Sequence, residues 1–181
     1  MDAIVVYESI YGNTRAVAEA IAEGMGGVPA LSVHEAARHD GMLDLLVIGG
    51  PTHMHGLATN RSRQVAAEAA EQDGASHIEP DATAAPGLRA WLVDLPPGAA
   101  HCAAAFDTRL DKAPWITGIA AHGIARRLRR RGLDVVATES FLVEGTEGPL
   151  REGELDRARQ WGAELAQSLR PAGEVRTGAR S

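Results

Sequence analysis

The sequence predicts an α/β fold in which a five-stranded parallel sheet lies between two layers of helices. Three observations carry that expectation. Short apolar runs such as AIVVY (3–7), LDLLVI (43–48) and HCAAAF (101–106) lack inside–outside alternation, as strands buried on both faces do. Between them lie longer stretches whose apolar residues recur at the helical period of about 3.6. Glycine, proline and polar clusters punctuate the ends of both kinds of run, where turns are needed. Parallel strands need crossovers, which are right-handed, and for five strands the order 2-1-3-4-5 is the economical one.

Each element follows in turn. Residues 3–7 form the first strand. From Asn13, the residues Val17, Ala18, Ile21, Ala22 and Met25 fall on one helical face, and Gly24, Gly26 and Gly27 end the helix. Residues 29–33 suit a short second strand, and HEAARHD (34–40) a brief helical connection. Residues 43–48 form the third strand, which GGPT (49–52) is expected to stop. A helical pattern covers 57–72. The Ala-, Pro- and Gly-rich passage 73–87 then interrupts the rhythm, and its length marks it as functional, partner-facing or mobile. An extra helix at 88–95 precedes Pro96-Pro97, followed by the fourth strand (101–106), a helix (115–131), the fifth strand (133–143) and a last helix (153–169). The chain therefore reads as one domain over 1–170 with a flexible tail at 171–181.

Composition narrows the function. With 24 acidic against 18 basic residues the formal charge is −6, which argues against nucleic acid, where phosphate neutralisation dominates binding. The single Cys102 excludes an internal disulfide framework and sits in an apolar run, so a core position is expected. No stretch reaches the length and apolarity of a membrane span. Met1-Asp2 leads straight into a β-branched run without a basic region or cleavage site, so the cytoplasm is the expected compartment. Trp91, Trp115 and Trp161 are expected mainly in packing, and the arginines of ARRLRRRG (125–132) complement the negative end of their helix on a solvated face, the alternative being a docking patch for an acidic redox partner or anionic lipid.

In such a sheet, ligands gather at the carboxyl ends of the strands, near the switch between the first and third. The loops that matter are then 9–14, 49–56 and 107–115. The first enters a helix N-terminus, whose free N–H groups and dipole can hold a phosphate without a lysine. Ser9, Tyr11 and Thr14 add hydroxyls, and Gly12 permits a tight path. Asn13 or Thr14 can equally serve as the N-cap. The P-loop pattern and G-x-G-x-x-G are both absent, and the third strand ends in Gly49-Gly50-Pro51 where a phosphoacceptor domain would place an aspartate.

SIYGNT followed by RAVAEAIAEG resembles the phosphate loop and first helix of the flavodoxin family, with its approximate pattern [ST]-x-[ST]-G-x-T. Tyr11 at the third position resembles the branch containing flavodoxin-like NAD(P)H:quinone oxidoreductases and the flavodoxin domains of larger flavoproteins. LLVIGGPTHMHG is similar to the third strand and second loop of the family, and the stretch from FDTRLDKAPW to ARQWG looks like flavodoxin-domain proteins of actinobacterial type. The resemblance implies a flavodoxin-like three-layer sandwich and a noncovalent FMN. The phosphate would sit on Ser9, Ile10, Tyr11, Gly12, Asn13 and Thr14. The ring would lie between Pro51, Thr52, His53, Met54, His55 and Gly56 on one side and Asp107, Thr108, Arg109 and Trp115 on the other.

The ring loops depart from the family, which often clamps the flavin with an aromatic from each. The second loop offers none, and the third supplies one only at Trp115. Weaker flavin affinity is the expected consequence, with Met54 or an imidazole packing on the ring. A histidine near flavin N5 could serve as proton donor. His53 and His55 alone are too few for a zinc site, so no metal is expected. Arg109 could stabilise the negative charge of the reduced flavin, or pair with Asp107 or Asp111 on the surface. The resemblance implies a redox protein that is either a carrier or an NAD(P)H- or quinone-linked oxidoreductase, with a small-molecule or protein partner, and it is compatible with a homodimer. The alternative is a domain that has lost strong flavin binding and serves as a binding or assembly module.

Overall fold

The computed structural model describes residues 1–36, 41–53, 56–57, 64–65, 78–83 and 86–169. Strand β1 (Ala3–Tyr7) leads into helix α1 (Asn13–Gly24), then β2 (Ala30–Ser32) and the one-turn helix α2 (Val33–Ala36). Next come β3 (Leu43–His53), β4 (Gly56–Leu57), α3 (Leu88–Asp94) and β5 (Ala100–Leu110). The short α4 (Pro114–Thr117), α5 (Ala120–Arg130), β6 (Asp134–Val143) and α6 (Glu154–Ser168) complete the chain. Five strands pair in parallel in the order β2-β1-β3-β5-β6, the order expected for five strands.

The absence of alternation in the strands has a direct cause. Ile4 and Val6 of β1, Leu46 and Ile48 of β3, and Ala103 and Ala105 of β5 face the core beneath α3 and α5. Their neighbours Ala3, Val5, Leu45, Val47, Ala104 and Phe106 face the core beneath α1 and α6. Side chains alternate between faces, but both faces are covered, so these central positions are apolar on either side. On the second face Phe106, Phe141 and Trp161 meet edge to face, with centroids 6.1 to 6.4 Å apart. Trp91 and Trp161 are buried as expected, whereas Trp115 is 82% exposed and Cys102 only partly buried.

Helices α1 and α6 touch backbone to backbone. A Cβ on Gly24 would lie 1.9 Å from the Arg159 carbonyl oxygen, and one on Gly162 would lie 2.2 Å from that of Ile21. Gly24 therefore does more than end a helix.

Three expectations need correction. GGPT does not stop the third strand: β3 continues to His53 and returns antiparallel through β4, with Thr52 opposite Leu57 and His53 opposite Gly56. Likewise β5 runs on to Leu110. Glycine and proline weaken a strand locally, but pairing of β3 with β5 as far as Pro51 opposite Thr108 overrides that preference. The helix expected over 115–131 is two helices, separated where Gly118 adopts a φ of 75° and Ile119 is extended. The helical pattern at 57–72 and the tail at 171–181 lie almost wholly outside the described residues.

Candidate functional site

After β1 the chain turns sharply into α1. Gly12 makes the turn possible: it is the N-cap residue and has φ 85°, a left-handed conformation that a side chain would strain. Its N–H donates to Ser9 Oγ at 3.1 Å, and its carbonyl accepts the first helical bond from Ala16. Neither Asn13 nor Thr14 is the N-cap. No described side chain caps α1, so its N-terminus keeps donors and dipole for a ligand. The Asn13 amide instead donates to the Glu147 carbonyl at 2.8 Å, and Thr14 reaches across to β5, where its hydroxyl lies 2.7 Å from that of Thr108.

The second and third loops are joined through a buried carboxylate. Asp107, fully buried, accepts from the Thr52 hydroxyl at 2.8 Å and from the Ala121 N–H at 3.0 Å. Thr52 in turn accepts from the Ala120 N–H at 2.9 Å. Asp107 and Thr52 thus cap α5 and fix it to the ends of β3 and β5. Arg109 pairs with neither Asp107 nor Asp111. Its guanidinium donates to the carbonyls of Leu110 and Lys112 at 3.2 and 2.7 Å, while Asp111 is held by Arg151 at 2.8 Å.

These segments converge on a cavity of about 90 Å³. Ser9, Ile10, Tyr11, Asn13 and Thr14 line it from the first loop, Pro51 and Thr52 from β3, and Thr108 and Arg109 from β5. Gly12 shapes this loop without lining the cavity, and Asp107 sits behind it. His53 ends β3, Gly56 begins β4, and Trp115 stands exposed on α4. Met54 and His55 lie outside the described residues.

Three further residues line the cavity and were missed in the sequence: Leu110, Val143 and Thr146. Thr146 follows β6, so the rule that ligands gather at carboxyl ends of strands could have found it. The 78–82 segment was also unforeseen as a support. Glu79 N–H donates to the Ile10 carbonyl at 2.9 Å, its carboxylate pairs with Arg15 at 3.2 Å, and Ile10 packs on Ala82. Part of the interrupting passage therefore backs the first loop.

Apart from the Arg109 guanidinium at its edge, the donor set is neutral. Hydroxyls of Ser9, Tyr11, Thr14, Thr52, Thr108 and Thr146 surround the cavity. Burial, reinforced by the nearby Glu147 charge, pushes the Tyr11 phenol up from its ordinary pKa, so it keeps its proton and can donate. Arg15 is occupied: hydrogen bonds to Glu19 and Glu79 hold it charged more firmly than usual. Hydroxyls around an uncapped helix N-terminus fit a phosphate monoester. Among the described residues no group of three or more His, Cys, Asp or Glu could hold a metal, and no helix is long and apolar enough to cross a membrane.

The family model for flavodoxin matches residues 5–105, more than half of the chain and from β1 into β5. The chain belongs to the flavodoxin family. Solved flavodoxins share its fold at low identity. One from the domain Archaea superposes with a TM-score of 0.54 at 20% identity, over 94% of this chain and 100% of its own. Flavodoxin 2 from Bacillus cereus, in its oxidised form, gives 0.52 at 15%, over 93% and 99%. A short-chain flavodoxin associated with a bacterial microcompartment gives 0.55 at 11%, over 93% and 99%. No curated protein matches significantly. Flavodoxins as a family bind FMN and pass electrons to redox partners, so the general class of this flavodoxin is an FMN-type redox protein.

Proposed function

We propose that this flavodoxin binds FMN noncovalently, with the phosphate on Ser9, Tyr11, Asn13 and Thr14 at the N-terminus of α1. The ring would lie between the 51–56 segment and Asp107, Thr108, Arg109 and Trp115. One observation carries the reading: hydroxyls from four separate strand ends converge with an uncapped helix N-terminus on one cavity. When bound, the flavin supplies electron transfer at its ring; the protein's residues hold its phosphate, position the ring and set its potential. Thr52 and Asp107 keep the second and third segments in register. Arg109 brings a guanidinium to the edge of the cavity, where a cation would favour the reduced, anionic flavin.

The reaction proposed is electron transfer or an NAD(P)H- or quinone-linked oxidoreduction, by a single domain over 1–170 in the cytoplasm. The likeness of Tyr11 in SIYGNT to the quinone oxidoreductase branch supports the enzymatic form. The test is direct. The purified protein, or apoprotein titrated with FMN, should give a saturable complex, and NADH or NADPH with a quinone should separate enzyme from carrier. A protein that binds no FMN at submillimolar concentration would instead be a binding or assembly module.

A further inference from the structure

A second cavity, of about 390 Å³, opens between β4, the start of α3 and the first turns of α5. It shares no lining residue with the cavity at the first loop. Arg89, His122, Arg126 and Arg127 bring their side chains to it. Arg89 donates to the Leu57 carbonyl at 2.9 Å, and Arg127 to the Gly123 carbonyl at 2.9 Å, so two guanidiniums are held in place by one donor each. None of the three arginines has an ion-pair partner among the described residues.

Like charges gathered without a counter-charge among the described residues oppose one another. Arg127 shows it: burial, then the charges of Arg89, Arg126 and Arg130, pull its pKa below the ordinary value. An anion would relieve that repulsion, and the chemistry of the donors selects which. A single carboxylate would leave cations uncompensated, whereas a phosphate or pyrophosphate carries two or more charges and presents oxygens that match the guanidinium fork. The volume exceeds the needs of a bare phosphate and falls in the range of small-molecule sites, roughly 300–1,000 Å³. A concave site of this size fits a soluble ligand better than a flat lipid surface.

We propose that this cavity binds the phosphate or pyrophosphate group of a soluble small molecule, through Arg89, Arg126 and Arg127. The helix that carries Arg126 and Arg127 begins at Ala120, bonded to Thr52, and continues with Ala121, bonded to Asp107. The site is therefore fixed to the same strand ends as the proposed flavin pocket, without depending on flavin.

The experiment is calorimetric titration with inorganic pyrophosphate at low salt. It is run on FMN-saturated protein and on the Ser9→Ala/Thr14→Ala variant, in which the first loop is weakened as a competing anion site. One equivalent of pyrophosphate should bind in both, with affinity falling at least tenfold in Arg89→Gln/Arg126→Gln and falling further with salt. Arg89 and Arg126 are exposed, so circular dichroism should show an unchanged fold. Failure of FMN to bind, with pyrophosphate still bound in the variant, would sink the flavin reading alone. No binding at millimolar pyrophosphate, or binding indifferent to the two arginines, would overturn the phosphate site. A chain that ignores pyrophosphate but sediments with phosphatidic acid vesicles in an arginine-dependent way would overturn the soluble ligand in favour of a lipid.

Discussion

Thr14 and Thr108 stand 94 residues apart in the chain, yet their hydroxyls lie 2.7 Å from one another in a buried contact between α1 and β5. A hydroxyl both donates and accepts, so this contact fixes the Thr14 Oγ1 position while leaving lone-pair and proton capacity for a third group. The first loop and the third are thereby one site.

Removing these hydroxyls should discriminate FMN from riboflavin. Ser9→Ala with Thr14→Ala is expected to weaken FMN, since a hydrogen bond to a charged group contributes roughly 1.5 to 3 kcal/mol. Riboflavin, lacking the phosphate, should be nearly unaffected. Thr108→Val should have a smaller effect of the same kind, about tenfold or less, because it removes only the partner of Thr14. Equal loss for both flavins in a fluorescence-quenching titration would move the phosphate away from this loop.

Close packing of α1 on α6 makes a stability prediction that needs no ligand. Gly24→Ala or Gly162→Ala places a methyl 1.9 or 2.2 Å from a backbone oxygen, where no side chain can yield. Overpacking typically costs about 1 to 3 kcal/mol, well above the modest gain from replacing glycine by alanine within a helix. Urea unfolding should show a lower midpoint for both variants. A midpoint equal to the native protein's would mean that the helices separate easily.

The two tyrosines offer a pH prediction. Burial raises Tyr7 to about 12, and Tyr11 is raised as well, by burial and then by Glu147. A folded pKa above the unfolded one means that the protonated phenol is favoured by folding. The associated stability is complete below about pH 10 and is lost as pH rises toward 12. Because Tyr7 is not deeply buried, solvent screening reduces this contribution to about 1 kcal/mol. Phenolate absorbance of the apoprotein should titrate above pH 10 when folded and near 10 in strong denaturant. Tyr7→Phe should flatten the loss of stability in that interval. Coincident folded and unfolded titration curves would contradict the burial.

The order of the elements was legible because both faces of the sheet are covered, which leaves unbroken apolar runs such as 3–7 and 45–48. The strand ends were not. Gly49, Gly50 and Pro51 read as a stop, but β3 keeps its place through pairing with β5, a long-range term that local propensity does not contain. The same holds for the site. SIYGNT signalled the first loop by local turn chemistry, while Thr146 and the support from Glu79 and Ala82 depend on which segments the fold brings together. The arginines of 125–132 read as a solvated helix end, and only the approach of Arg89 from α3 turned two of them into a pocket.

Arg109 bears on the redox chemistry itself. Its guanidinium is anchored by carbonyls of its own segment and borders the cavity, so its charge is held in place rather than neutralised by an acid among the described residues. A fixed cation interacts more strongly with the reduced, anionic flavin than with the neutral oxidised ring, and an interaction of roughly 1.4 kcal/mol in the reduced state alone corresponds to about 30 mV for two electrons. Arg109→Ala should therefore make the two-electron potential more negative by a few tens of millivolts, less at high salt if the site is open to water. Arg109→Lys, which keeps the charge but not the fork, should recover part of the shift, and this separates electrostatics from the loss of the loop anchors. The measurement is a redox titration of native and variant proteins at matched flavin saturation. Equal potentials for native protein and Arg109→Ala would confine Arg109 to holding Leu110 and Lys112 in place.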